Sequence, residues 1–484
     1  MPTALDPSLC PFISKPAVVI LWFDKVMNFG ADNSGERVWC SVVILEKKFL
    51  WLVLVMLAAG GCITESGALA QESVVIAEPW GEIIGELRLE GLNRTREYIV
   101  TRELISKVGE PCLEENLDKE KLELEKLGIF ASVDIKAELG PDGVIVHYKF
   151  VELLILLPSV SVKFSDETGV SAGLGIKVPN LMGKDVFLSA RFLVGGYTEL
   201  ELWLENPWVW GNHWGYKFEY YHREKDNLVA DFFETSDELY LASGPNIGEH
   251  GRVGAILSFL SIRSDREGIT LSPNNHDKAA RLGLYIGYDS LDAFVGTTRG
   301  WWNEIVLTQA IDIFENSSKY TQVDLDLRRY QPLADRHTLT GFSLTTIRSG
   351  EVGVEVAPWE QFGIGGTNTI RGWSFAARKG KNQMINTIEY RYTLFKVRPW
   401  DLPWGIKYRG GLALAAFGDY GIGWDQPREF AANNFIDGYG FGLRLMLPIV
   451  GVARVDLAWG EHGETVFLHL GSFEKATFAR RRVR

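Results

Sequence analysis

Nowhere does this sequence run apolar for the roughly 20 residues that a membrane-spanning helix requires, and its greasiest early stretch, Phe49 to Leu57, falls far short. A bundle of spanning helices is therefore excluded. Positive charge is not in surplus either: 50 Lys and Arg stand against 62 Asp and Glu, a net charge of -12. Neutralising phosphates needs the opposite balance, so no nucleic-acid partner is expected. Cysteine is scarce, and Cys10, Cys40, Cys62 and Cys112 are too far apart for C-x-x-C metal or redox motifs or a disulfide framework. The 8 His are scattered. H-E-x-x-H and G-x-x-x-x-G-K-[ST] are absent, and the chain is read without a nucleophile elbow. No enzymatic activity, metal or cofactor is expected.

Glycine and aromatics are plentiful, with 50 Gly and 12% Phe, Trp and Tyr. Such a composition suits β structure. In a closed barrel, lipid-facing and lumen-facing residues alternate and cancel in any hydropathy average, so a membrane signal stays hidden. A soluble β protein fits the same composition.

Near the start, Lys47 and Lys48 precede the apolar stretch, and Ala68-Leu69-Ala70 precedes Gln71. This charged, greasy, small-residue order is that of a secretory signal with an A-x-A cleavage site. Residues 43–70 are assigned to the signal, and residues 1–42 to a spurious upstream extension. Ala59-Gly60-Gly61-Cys62 offers a second reading, a lipoprotein box, with Ala where a larger aliphatic belongs.

From residue 82 to 152 the pattern changes at short intervals. Leu87 and Leu89 alternate with charges, which predicts a strand ended by Gly91. Val100, Leu104 and Val108 at i+4 spacing predict a helix closed by Gly109 and Pro111, and Leu113, Leu117, Leu124 and Leu127 predict another stopped by Gly128. Two alternating segments follow, joined by the turn Gly140-Pro141-Asp142-Gly143. The order is β-α-α-β-β.

Beyond Glu152 a period of two takes over. Leu200, Leu202 and Leu204 alternate with Glu199, Glu201, Trp203 and Glu205, and Val323, Leu325 and Leu327 with Asp324, Asp326 and Arg328. Such strands suit either a soluble sandwich or a barrel in lipid. The secretory signal favours the barrel, as do Trp208, Trp210 and Trp214, clustered as an interfacial girdle would be. Period-two Gly438, Gly440 and Gly442 read as close backbone approach in a strand.

Several motifs carry a resemblance. "GLNRTREYIVTRELISKVGEP" and "LEKLGIFASVDI" resemble a POTRA domain, and "FGIGGTNTIRGW", Phe362 to Trp373, resembles the inward-folded loop of the BamA/TamA family of outer-membrane assembly proteins. Gly365, Gly366, Ile370, Arg371, Gly372 and Trp373 form its tip, with Trp373 where the family usually has Phe or Tyr. The resemblance implies a lumenal Arg371 whose acidic partner is Asp419, within "FGDYGIGW" beside Gly421. A planar guanidinium can take a carboxylate bidentately and stays charged at any physiological pH. "NLMG" at Asn180, "NTIEYRY" at Asn386, and "GYGFGLRLMLP" followed by Arg454 and Asp456 also match. Gly471 and Phe473 match the closing strand, although the family normally ends there and a basic tail, 474–484, continues here.

The resemblance implies a mostly β chain: one βααββ POTRA-like periplasmic domain at 82–152, then an antiparallel barrel of about 16 strands at 153–473 in a bacterial outer membrane. Its expected partners are the lipid bilayer, unfolded outer-membrane or secreted client proteins, and accessory periplasmic or lipoprotein subunits. Insertion of clients into the membrane is the function it implies. The alternatives are a two-partner-type secretion pore, exporting a client through the lumen, and a passive porin-like channel.

Overall fold

The computed structural model describes residues 79–472, apart from 154, 166, 210–213, 293–295, 315–316, 403–405, 448–450 and 461–465. The expected upstream extension, signal, Cys62, Trp210, Phe473 and basic tail lie outside the described residues.

The N-terminal module packs helices α1 (Glu97–Thr101) and α2 (Glu114–Lys126) on a three-stranded sheet. Its strands are β1 (Ile84–Glu90), β2 (Phe130–Gly140) and β3 (Gly143–Glu152), in the order β1-β3-β2. Ile84, Leu117, Leu124, Val144, Val146 and Phe150 are buried together with the thiol of Cys112. Helix α1 is shorter than the spacing of Val100, Leu104 and Val108 predicts, and Val108 is exposed. The cause is a long-range capture. The buried Glu120 carboxylate accepts the N–H groups of Ile105 and Ser106 and the Tyr148 hydroxyl, at 2.7, 2.5 and 2.6 Å. Those amides are therefore unavailable to a continuing helix.

Sixteen strands then form one sheet. They are β4 (Leu157–Ser165), β5 (Gly169–Leu181), β6 (Val186–Gly195), β7 (Thr198–Val209), β8 (Trp214–Asn227), β9 (Phe232–Ile247), β10 (Gly251–Ser264), β11 (His276–Asp289), β12 (Gly300–Ile311), β13 (Thr321–Ala334) and β14 (His337–Arg348). After a long loop holding the short hairpin β15 (Phe362–Ile364) and β16 (Arg378–Gly380) come β17 (Asn382–Leu402), β18 (Ile406–Trp424), β19 (Ile436–Leu447), β20 (Gly451–Trp459) and β21 (Val466–Ser472). Each pairs antiparallel with its neighbour in this order, and the end strands β4 and β21 come to lie beside one another. No backbone ladder joins those two among the described residues.

The faces of the sheet decide between sandwich and barrel. On β11, Leu282, Leu284 and Ile286 point outward and are exposed, while on β7 Glu199, Glu201 and Glu205 are buried inside. Apolar outside and charged inside is the arrangement of a barrel in lipid, the reverse of a soluble core.

The module is seated on the turn between β5 and β6. Arg102 donates to Asp185 at 2.6 Å and lies over the Trp208 ring at 4.5 Å. Asn180 Nδ2 donates to Thr95 Oγ1 at 2.8 Å, and the Arg96 N–H to the Gly183 carbonyl at 3.0 Å. The "NLMG" and "NRTRE" segments thus meet as two halves of one joint. Trp208, assigned from sequence to a girdle with Trp210 and Trp214, also serves this joint, while Trp214 is exposed and donates to Ser243.

Behind the joint, burial pushes the Glu152 carboxyl up, but hydrogen bonds from Thr95 and Arg94 outweigh it and hold its pKa at about 2. A depressed carboxyl contributes stability above its unfolded pKa and loses it as pH falls through the folded one. The module's resistance to thermal unfolding should therefore fall as pH drops from the usual carboxylate range to about 2. Glu152→Gln should flatten that acid limb, and an unchanged limb in the variant would show that Glu152 contributes nothing to it.

Candidate functional site

Inside the barrel, the loop between β14 and β17 turns inward, and its tip places Arg371 against the wall formed by β17, β18, β19 and β20. Arg371 is 2% exposed. Its Nε and Nη2 donate to the two oxygens of Asp419, both at 2.7 Å, and its backbone N–H donates to Asp419 Oδ2 at 3.1 Å. This is a bidentate fork with a third bond from the backbone. The guanidinium also lies over the Phe417 ring at 3.3 Å.

Arg371 reaches further than the Asp419 pair. Its Nη1 is 3.1 Å from Asp456 and 3.5 Å from Glu389. Arg444 bridges the same two carboxylates, at 2.6 Å to Glu389 and 2.5 Å to Asp456, and Arg391 donates to Glu389 at 2.7 Å. Arg454 donates to the Thr367 carbonyl in the tip and lies 3.7 Å from Asp456. Thr387 donates to Asp419 at 2.8 Å. A buried charge is tolerated only when paired and hydrogen-bonded, and here each cation shares carboxylates with another.

The backbone supplies the space. Gly438 stands opposite Asp419 in the β18–β19 register, and a Cβ there would fall 1.8 Å from the Arg371 carbonyl oxygen. Any side chain at this position would push the tip off the wall. Gly372, at φ +88°, turns the chain where a Cβ would strike the Trp459 backbone at 2.5 Å. Gly365 and Gly366 are buried in the approach to the tip, and Ile370 packs with Ile364, Ile385 and Ile436. A Cβ on Gly421 would meet the Ile370 side chain. Trp373 donates its Nε1–H to the Asp437 carbonyl at 2.7 Å. Gly471 is not part of this site. It lies on β21, opposite Arg454 in the ladder with β20.

Sequence reasoning names Arg371 and Asp419 as partners and gives Glu389, Arg444, Arg454 and Asp456 no role. Each of those four nevertheless sits in a segment quoted for the resemblance. The signal was parity: all occupy inward positions of neighbouring strands, at a level only the register fixes. One motif was overlooked in sequence. Gly169-Val170-Ser171-Ala172-Gly173 spells G-x-S-x-G, but it lies within β5 rather than at a strand-to-helix turn, and the Ser171 hydroxyl accepts the Tyr197 N–H at 3.1 Å.

Among solved structures, the chain is similar to BamA from Haemophilus ducreyi lacking POTRA domains 1–3. The TM-score is 0.55 at 15% identity, over 80% of this chain and 83% of that one. CdiB from Escherichia coli gives 0.51 at 14% identity, over 80% and 74%. CdiB from Acinetobacter baumannii gives 0.50 at 14%, over 81% and 73%. These likenesses concern the fold. The model of the Omp85 superfamily domain matches residues 180–467, more than half of the sequence and every residue of the Arg371 cluster, so the chain belongs to the Omp85 superfamily.

Proposed function

We propose that this protein is an outer-membrane assembly factor, which captures unfolded client strands at the edge of its POTRA-like periplasmic module and templates their insertion beside β4. The observation that carries the reading is the seam: two end strands adjacent, without a ladder between them among the described residues, in an otherwise paired sheet. An unpaired edge offers backbone hydrogen bonds to any client strand, and in lipid an unpaired strand cannot satisfy its backbone otherwise. The mechanism is physical and non-enzymatic.

Secretion through the lumen is the second reading, supported by the likeness to CdiB. That reading requires the loop, whose tip is fastened inside the barrel by Arg371, to leave the lumen during export. Reconstituted in liposomes, the protein should speed the folding of an unfolded barrel client, read as acquired heat-modifiable mobility, over empty liposomes. Equal rates with and without the protein would reject insertion, and protease-protected client inside the liposomes would establish export.

A further inference from the structure

The tip is only one end of the lumenal loop. At the other, Pro358, Trp359 and Glu360 form a 3-10 turn whose Glu360 side chain is buried. Its carboxylate accepts Arg281 Nη2 at 2.7 Å, Ser318 Oγ at 2.7 Å and Tyr320 Oη at 2.9 Å, and its carbonyl accepts Arg348 Nη1 at 2.9 Å. Beside it, Trp359 Nε1 donates to Asp277 at 2.9 Å.

These partners belong to a different arc of the wall. Asp277 and Arg281 lie on β11, and Ser318 and Tyr320 lie just before β13, whereas the tip is held by β17, β18 and β20. Among the described residues, the partners named for the two clusters are distinct. A cavity of about 460 Å³ adjoins the root, lined in part by Arg223, Glu238 and Glu360.

We propose that Glu360 is a second positioning residue, an independent clasp at the loop's root. The loop then stays in the lumen when the Arg371 clasp opens, and the lumen clears only when both clasps are released. The proposal concerns the loop alone and does not depend on which client activity the barrel serves.

Single-channel conductance in planar bilayers tests it, with a variant lacking residues 350–380 as the fully open reference and heat-modifiable mobility as the folding check. Arg371→Ala and Glu360→Gln should each leave conductance within about twofold of the parent, while the double variant rises at least about tenfold toward the open reference, because either remaining clasp still holds the loop in the lumen and only their joint loss shifts its population outward. Proteolysis should resolve the two clasps, with cleavage near the tip in one single variant and near the root in the other. Should Glu360→Gln not fold, Ser318→Ala with Tyr320→Phe removes two of the root donors and is read the same way. Arg371→Ala alone reaching the open reference would overturn the proposal, as would a double variant no more conductive than either single.

Discussion

Asp419→Ala should destabilise the lumenal site more than Arg371→Ala, and the double variant should be no worse than Asp419→Ala alone. The cluster holds four guanidinium groups, those of Arg371, Arg391, Arg444 and Arg454, against three carboxylates, those of Asp419, Glu389 and Asp456. Removing Asp419 leaves the surplus of cations larger. Removing Arg371 balances the charges and sacrifices mainly the tip's attachment. Breaking one partner out of a buried ion pair costs about 3–5 kcal/mol, much of it the penalty of the charge left behind. The double variant lacks that stranded charge, so the single effects should be strongly non-additive. Chemical denaturation of the folded barrel, with protease resistance of the tip as the local readout, checks the order. Additive losses, or unchanged protease resistance in both singles, would rule out direct coupling.

Locking the seam should abolish client insertion while leaving the barrel folded. Cysteines introduced at Leu157 of β4 and Leu470 of β21 would join the two ends of the sheet. Every other strand boundary is already closed, from the nine residue pairs of β4 with β5 to the seven of β20 with β21. The crosslink therefore removes, among the described residues of the sixteen-stranded sheet, the one boundary where a client strand could pair without displacing an existing ladder. Insertion in liposomes should fall by at least about tenfold on oxidation and return on reduction, since a barrier raised by about 1.4 kcal/mol already slows a step tenfold. A pore exporting through its lumen would tolerate the crosslink. Unchanged insertion after complete crosslinking would falsify the templating mechanism and favour secretion.

Much of this protein was legible before any coordinates. Period-two alternation revealed strands because successive side chains must face opposite sides of a sheet, and the charges alternating with leucines marked two different environments. Arg371 and its acidic partner Asp419 were legible through the resemblance of their two motifs to the BamA/TamA family. The length of α1 was not legible, because the competing acceptor, Glu120, stands 14 residues from Ser106 and only folding brings them together. Nor was the contact of Trp208 with Arg102 of the module legible, since those residues are distant in sequence.

The sequence by itself determined the strand faces and the order of the α+β module, since both follow from local pattern, and the resemblance of two contiguous motifs implied Arg371 and Asp419. Only the tertiary structure decided that Glu389, Arg444 and Asp456 join that pair and that Glu360 holds the far end of the loop. It also decided that β4 and β21 meet without a ladder among the described residues. The physical reason is common to all three: alternation tells which side a residue faces, whereas register and closure tell what it meets there. Those depend on hydrogen bonds between strands distant in sequence.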